Sequence, residues 1–243
     1  MRTAFLLATL TSILIPACAA SNGDELDSDS GDSAADGKSD AAAGVSDFFN
    51  LIADTRACSL NSGADCGTGF FVSKANRSTT QCGRGFAQSQ CKALQVEWRT
   101  GMPPSVSQGY EDDLRAGQPL LVRGSLQPDP ADRGMTMVVT EIWTASQPEW
   151  VDGVFALVKD NGIRCIHALC PSLTEKKLNS TLSANITGVD FAASGADEAT
   201  IERAQNALYT DGVVVVGYRD YDSLGGKTRT ANKFFMKAPV PLY

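Results

Sequence analysis

Seven cysteines and a single histidine hold most of the reactive chemistry in this 243-residue sequence. The run Cys165-Ile166-His167-Ala168-Leu169-Cys170 places two thiols and the imidazole close together, a grouping that could hold a soft divalent metal or carry electrons. No fourth ligand follows at metal-like spacing, so Cys165, His167 and Cys170 as a metal set rank below a disulfide between the two cysteines. Glu111-Asp112-Asp113 offers neighbouring carboxylates for acid–base hydrolysis of a glycoside. Adjacent acids at the start of a short helix more simply form a solvated cluster matched to the helix dipole. Asp27-Ser28-Asp29-Ser30-Gly31-Asp32 has calcium-type oxygens, but its glycine and acid fall in the wrong order and no closing glutamate follows. There is no GxSxG elbow, HExxH helix, phosphate-binding glycine loop or dinucleotide fingerprint. Trp98, Trp143, Trp150 and Tyr110 could line a carbohydrate or peptide groove, with core packing the better account of the first two.

The compartment decides what the cysteines do. Arg2, an apolar run from Ala4 to Ile15, and Pro16-Ala17-Cys18-Ala19-Ala20 read as a signal peptide over residues 1–17, too short for the roughly 20 residues of a spanning helix. Leu14-Ile15-Pro16-Ala17-Cys18 resembles the bacterial lipobox, which implies diacylglycerol on the Cys18 thiol, cleavage before Cys18 and acylation of the new amino group, palmitate being the expected acyl chain. Pro16 departs from the usual small or hydroxyl residue; ordinary secretion, with cleavage after Ala19, is the alternative. The segment 18–47 then carries the lipid-anchor cysteine and an acidic tether of Ser, Gly, Ala and Asp, a composition expected to stay disordered. Eight acids against Lys38 within residues 24–47 account for the whole net charge of −7. The remaining chain is almost neutral, with no basic cluster of the kind that binds nucleic acid.

Residues 48–146 and 147–243 read as a first and a second repeat unit. Phe49 to Asp54 precedes Cys58 as Phe155 to Asp160 precedes Cys165. Val96-Glu97-Trp98 matches Val189-Asp190-Phe191, and Leu120 to Gly124 matches Val213 to Gly217 at the same offset. Strands are expected over Met135 to Trp143 and over Val213 to Arg219, the latter apolar enough to be covered on both faces. Val154 to Lys159 and Ile163 to His167 read as a tight hairpin through Asn161-Gly162. One helix is clear, Ala196 to Tyr209 with Ser194 as its cap, and a shorter one is expected near Tyr110 to Ala116. The expected class is α+β, strand-rich, with mainly antiparallel sheets in two similar tandem units and one clear helix in the second. Six cysteines in an exported chain imply disulfides. The second unit owns only Cys165 and Cys170, which pairs them; by analogy Cys58 pairs with Cys66, leaving Cys82 with Cys91.

The run Cys66 to Val72 with Asn76, and Asp160 to Cys165 followed by Cys170-Pro171-Ser172 and Leu178-Asn179, resemble a group of predicted lipoproteins of Gram-negative bacteria that carry a domain of unknown function. The resemblance spans roughly residues 48–237; it implies location and architecture and brings no activity or ligand. The expected function is a non-enzymatic, lipid-anchored cell-envelope protein with a binding or structural role. Ala19 after Cys18 lacks the acidic signal for inner-membrane retention and favours the outer membrane. Expected partners are the membrane, through the lipid on Cys18, and an envelope protein, peptide or glycan, without cofactor or nucleic acid. A secreted or anchored hydrolase, and a metal or redox carrier using Cys165, His167 and Cys170, are the alternatives.

Overall fold

A computed structural model describes residues 46–56, 67–83, 86–99, 101–128, 134–149, 151–166, 169–223 and 225–239. The first half runs β1 (Asp47–Ala53), β2 (Phe70–Lys74), β3 (Thr80–Gln81), β4 (Ala87–Gln88), β5 (Cys91–Glu97), α1 (Pro104–Arg115), β6 (Leu120–Pro128) and β7 (Met135–Ala145). The second runs β8 (Val154–Asp160), β9 (Leu173–Lys177), β10 (Ser183–Ile186), β11 (Gly188–Asp190), a short 3₁₀ turn, α2 (Glu198–Ala207), β12 (Val213–Tyr221) and β13 (Lys227–Lys237). Eleven of these strands form one sheet.

Pairing closes the first five strands of that sheet into a ring, and the second set bends into a ring that the chain itself completes where it passes from β10 to β11. β1 lies antiparallel between β2 and β6, β5 joins β2 to β7, and β7 returns to β6. In the second ring β8 lies between β9 and β12, β13 pairs β12, and β11, which follows β10 in the chain, runs parallel to β13. The rings join where β13 pairs β7 over Phe235 to Lys237. Closure of this kind hides strand edges.

The expected class is therefore corrected. The protein is mostly β, with thirteen strands against two α-helices among the described residues, and one continuous sheet replaces the two separately sheeted units of an α+β fold. The Asn161-Gly162 hairpin is also overturned: β8 pairs β9, and the described residues of the loop 161–172 between them belong to no strand. Helix α1 is longer than α2. It starts on a proline whose fixed φ suits the first turn and puts Leu114 into the first ring. Asp197, not Ser194, caps α2, accepting from the Thr200 amide at 2.8 Å. Ser194 instead closes the preceding turn by donating its hydroxyl to the Phe191 carbonyl at 2.6 Å.

Alternation sorts the side chains into three cores. Phe49, Leu51, Val72, Val122 and Met137 fill the first ring with Leu114, while Val158, Leu173, Val213, Val215 and Phe234 fill the second with Ala204 and Leu208 of the α2 region. Between the rings Leu121, Trp143, Phe155, Val214, Val216 and Phe235 form a third. The four valines 213–216 thus face two cores alternately, which explains a strand apolar on both sides. Gly124 and Gly217 end the two matched apolar segments because each sits at a register shift, where a Cβ would strike the carbonyl oxygen of Val138 or Thr230.

Two asparagines hold the rings together. Asn76 accepts from the Phe155 amide at 2.8 Å and donates to the carbonyls of Phe155 at 2.7 Å and Leu178 at 3.1 Å. Asn179 accepts from the Phe48 amide at 2.9 Å and donates to the carbonyls of Phe48 at 2.8 Å and Ala75 at 2.9 Å. Both take positive φ, 59° and 55°, a conformation that asparagine tolerates better than other side-chain-bearing residues.

Candidate functional site

Ionisable groups gather in four places, and each is best judged by how fully its charges are answered. Inside the second ring Glu175 on β9, Arg219 on β12 and Arg229 on β13 are buried. The Arg219 guanidinium donates through Nε to Glu175 Oε1 at 2.7 Å and through Nη2 to the same oxygen. Arg229 Nη1 lies 3.5 Å from Glu175 Oε2, and its Nη2 donates to the carbonyls of Val154 at 2.8 Å and Gly217 at 2.7 Å. Burial works against the Arg219 charge, yet bonds to Tyr221 and Glu175 outweigh it and hold its pKa above the ordinary value. The single carboxylate ties the two guanidiniums together and the Val154 and Gly217 carbonyls take further donors from Arg229, so the cluster braces the ring.

At the end of β1, Arg56 donates to Asp54 through Nε at 2.8 Å and Nη2 at 2.7 Å, and Lys92 Nζ lies 3.3 Å away. The Arg56 bonds, against the opposing effect of burial, hold the Asp54 carboxyl far below the usual carboxylate range. This too is a closed ion cluster.

Lys233 on β13 is 1% exposed and donates to the Glu149 carbonyl at 2.6 Å. Burial pushes its pKa down from 10.5 to about 8, against the favourable charge of Glu149. The folded pKa lies below the unfolded one, so from pH 8 to 10.5 the unfolded chain binds more protons and stability rises with pH. Below pH 8 the burial penalty acts in full. Lys233→Met removes that slope; urea midpoints of both proteins at pH 8 and 10.5 should draw together as pH rises, and parallel profiles would rule this out.

A shallow, open recess where α1 meets the middle of β7 and the end of β13 is lined by Arg99, Met102, Tyr110, Glu141 and Lys237 among others. Glu141 lies 3.5 Å from both Arg123 and Lys237. Burial and then Asp113 push the Tyr110 hydroxyl up, so at neutral pH it stays a phenol. The recess offers a neutral phenol and a neutralised carboxylate.

The loop 161–172 differs from all of these because its apolar side chains face water. Cys165 and Cys170 are bonded within it, with Cα atoms 5.4 Å apart. Its base is tied by the Asn161 amide donating to the Ser172 carbonyl at 3.0 Å, by Asn161 Nδ2 donating to the Pro171 carbonyl at 2.9 Å, and by Arg164 on Asp160 at 2.9 Å. The Asn161 side chain also accepts from the Ile163 amide at 2.9 Å, an Asx turn that fixes the loop's direction. At the tip Ile166 is 97% exposed, with Ile163 and Leu169 also exposed. Leu169 adopts φ 65°, a strained conformation for a leucine of the kind that collects at working sites. It leans on the turn between β12 and β13, where a Cβ on Gly226 would come within 2.9 Å of its Cδ2. Tyr209, near Arg164, and Tyr221, at the start of the same turn, are more than half exposed, with Tyr218 on the same strand close behind.

The residues singled out from sequence fall as follows. Cys82 is bonded to Cys91 and Cys165 to Cys170. Cys18, Cys58, Cys66, His167 and Trp150 lie outside the described residues. The Cys165–Cys170 bond occupies both thiols of the metal set, and among the described residues no group of three His, Cys, Asp or Glu side chains is placed to hold a metal. Glu111-Asp112-Asp113 sits in the last turns of α1, not at its start. Glu111 accepts from the Trp98 indole at 3.0 Å and Asp112 from Gln108 at 2.9 Å. Trp143 is buried between the rings, and Trp98 stacks on Tyr110 at 5.8 Å over the first core. Sequence reading passed over Ile166 and the tyrosines 209, 218 and 221. The signal was an isoleucine between cysteines in a loop otherwise read as a strand.

Among the described residues no helix is long and apolar enough to cross a membrane. A family model described as Domain of unknown function (DUF6748) matches residues 47–240. No curated protein and no solved structure matches the chain.

Proposed function

The chain belongs to the DUF6748 family, and we propose that it works as a non-enzymatic binding protein of the bacterial cell envelope. In this reading it is anchored through lipid on Cys18, held off the membrane by the acidic tether, and meets its partner through the loop 161–172. The observation that carries the reading is the exposed apolar and tyrosine surface of that loop and its neighbours, Ile163, Ile166, Leu169, Tyr209 and Tyr221. Isolated exposed apolar residues are ordinary; several on one strained, cross-linked and hydrogen-bonded loop are a contact surface. Rigidity matters because a pre-ordered loop loses little freedom on binding. Among the described residues, the large exposed apolar and tyrosine side chains gather mostly here, with Phe86 and Ile52 standing apart.

The test uses the full chain in its native membrane. Intact mass before and after reduction reports acylation of Cys18, and a photo-crosslinking residue placed at position 166 reports the contact. Position 166 should give a discrete adduct that the same probe at Ile52, exposed on the first ring, does not. Equal labelling from both positions would remove the loop as the binding surface, and an unmodified Cys18 would remove the anchor.

A further inference from the structure

We propose that Cys165–Cys170 is a thiol–disulfide exchange site whose substrate class is an exported dithiol, and that exchange there releases the loop tip while the rings stay folded. The two disulfides among the described residues stand in different surroundings. Cys91 is 1% exposed on β5 and Cys82 is partly exposed, and the sulfurs of both lie within 3.6 Å of the Thr80 carbonyl oxygen, so neither sulfur of that bond is as open as Cys165. Cys165 is exposed and Cys170 partly so. Attack by a thiolate needs access to a sulfur, and Cys165 Sγ supplies it.

The second observation is how little of the fold depends on that bond. The base of the loop is held by Asn161 on Ser172 and Pro171 and by Arg164 on Asp160. These contacts join residues flanking the disulfide, and β8 and β9 pair beyond them. What the disulfide does hold is the tip, with Ile163 and Ile166 on one side and Leu169 in its left-handed conformation beside Cys170. Opening the bond relieves that strain and lets the apolar tip disorder.

The reaction balances as an ordinary exchange. One thiolate of the dithiol attacks Cys165 Sγ, the Cys165–Cys170 bond breaks, and the electron pair leaves on Cys170 Sγ, which takes up a proton. The second thiol of the dithiol, losing its proton, attacks its partner sulfur in the mixed disulfide and expels Cys165 as a thiol. The dithiol is oxidised to a disulfide and the protein's disulfide is reduced; an oxidised partner runs the steps backwards. That the opened loop loses its partner rests on the binding function proposed above, whereas the exchange chemistry does not.

The probe is dithiothreitol, applied in graded amounts to the full-length protein, with iodoacetamide to trap free thiols and peptide mass spectrometry to place them. Cys165 and Cys170 should label at least roughly tenfold faster than Cys82 and Cys91, with the far-ultraviolet circular dichroism unchanged. Equal labelling of the two pairs, or loss of the spectrum in step with labelling at Cys165, overturns the proposal. The double variant Cys165→Ser, Cys170→Ser should fold and melt no more than about 10 °C lower, and a crosslink from position 166 should be lost in it. A variant that does not fold disproves the independence of the base, and a retained crosslink disproves release of the tip. If oxidised wild-type protein gives no crosslink, the binding function fails while the labelling contrast still decides the exchange.

Discussion

Glu175→Ala is expected to lower stability by about 3–5 kcal/mol, because it leaves the guanidinium groups of Arg219 and Arg229 facing each other inside a ring without their carboxylate. For a domain of this size that is a fall in melting temperature of about 6–20 °C. The size follows from burial: all three side chains are fully buried, and charges out of water depend on their partners. Replacing the whole set, Glu175→Leu with Arg219→Met and Arg229→Met, should cost less than the single change, since no charge is stranded. It still leaves the carbonyls of Val154 and Gly217 without the Arg229 donor, so the triple variant should not exceed the wild type. Urea unfolding of the three proteins ranks them directly. A Glu175→Ala protein within about 1 kcal/mol of wild type, the range of a surface pair, would show that water reaches the cluster.

The second large effect is expected where the rings meet. Asn76→Ala and Asn179→Ala each delete a side chain that answers one backbone amide and two carbonyls of the facing half. Each also forces alanine into a positive φ. Leaving part-buried backbone groups unpaired costs about 1–3 kcal/mol and the conformation roughly 1 kcal/mol more, so about 2–4 kcal/mol is expected for each. Asn76 contacts Leu178 and Asn179 contacts Ala75, each the chain neighbour of the other asparagine, so the two sites share a backbone frame. The double variant should depart from additivity by more than about 0.5 kcal/mol. Independent, additive losses would mean that each asparagine only secures its own turn. An Asn76→Gly variant separates the terms, since glycine keeps the φ and loses only the bonds.

Much of the strand content was legible in sequence, but the way the strands close was not. The β-branched run Val213 to Val216 announced a doubly covered strand, and Leu120 to Gly124 matched it because both end at a glycine that the partner strand's carbonyl requires. Local pattern says nothing of which strands close a ring. β1 finds β6 and β8 finds β12 across long stretches of chain, and those pairings turn the expected α+β units into one mostly β sheet. Asn161-Gly162 misled because the same pair that suits a two-residue hairpin also suits the first turn of a long loop. Glu175, Arg219 and Arg229 were invisible for a related reason. In an alternating strand a charged residue reads as facing water, and only the ring shows that these three face inward. Asn76 and Asn179 stood out by position, but their role depends on partners at least 79 residues away. The pairs Cys82–Cys91 and Cys165–Cys170, in contrast, could be reasoned out locally, since close cysteines need no knowledge of the rest of the fold.

The place of β1 also governs how the protein carries mechanical load. The strand opens the described residues, where Ser46 touches Thr140 and Asp47 pairs with Lys74 at 3.0 Å. β1 is hydrogen-bonded along both sides, to β2 and to β6, each antiparallel to it. A pull on Ser46 along the strand must therefore shear two ladders together, instead of peeling one pair at a time. If the opposing pull comes from the tip near Ile166, the force crosses from the first ring to the second through the Asn76 and Asn179 clamps and the β7–β13 pairing. Yielding then starts at that seam, before either ring opens, and the seam works as a mechanical fuse between β1 and the loop.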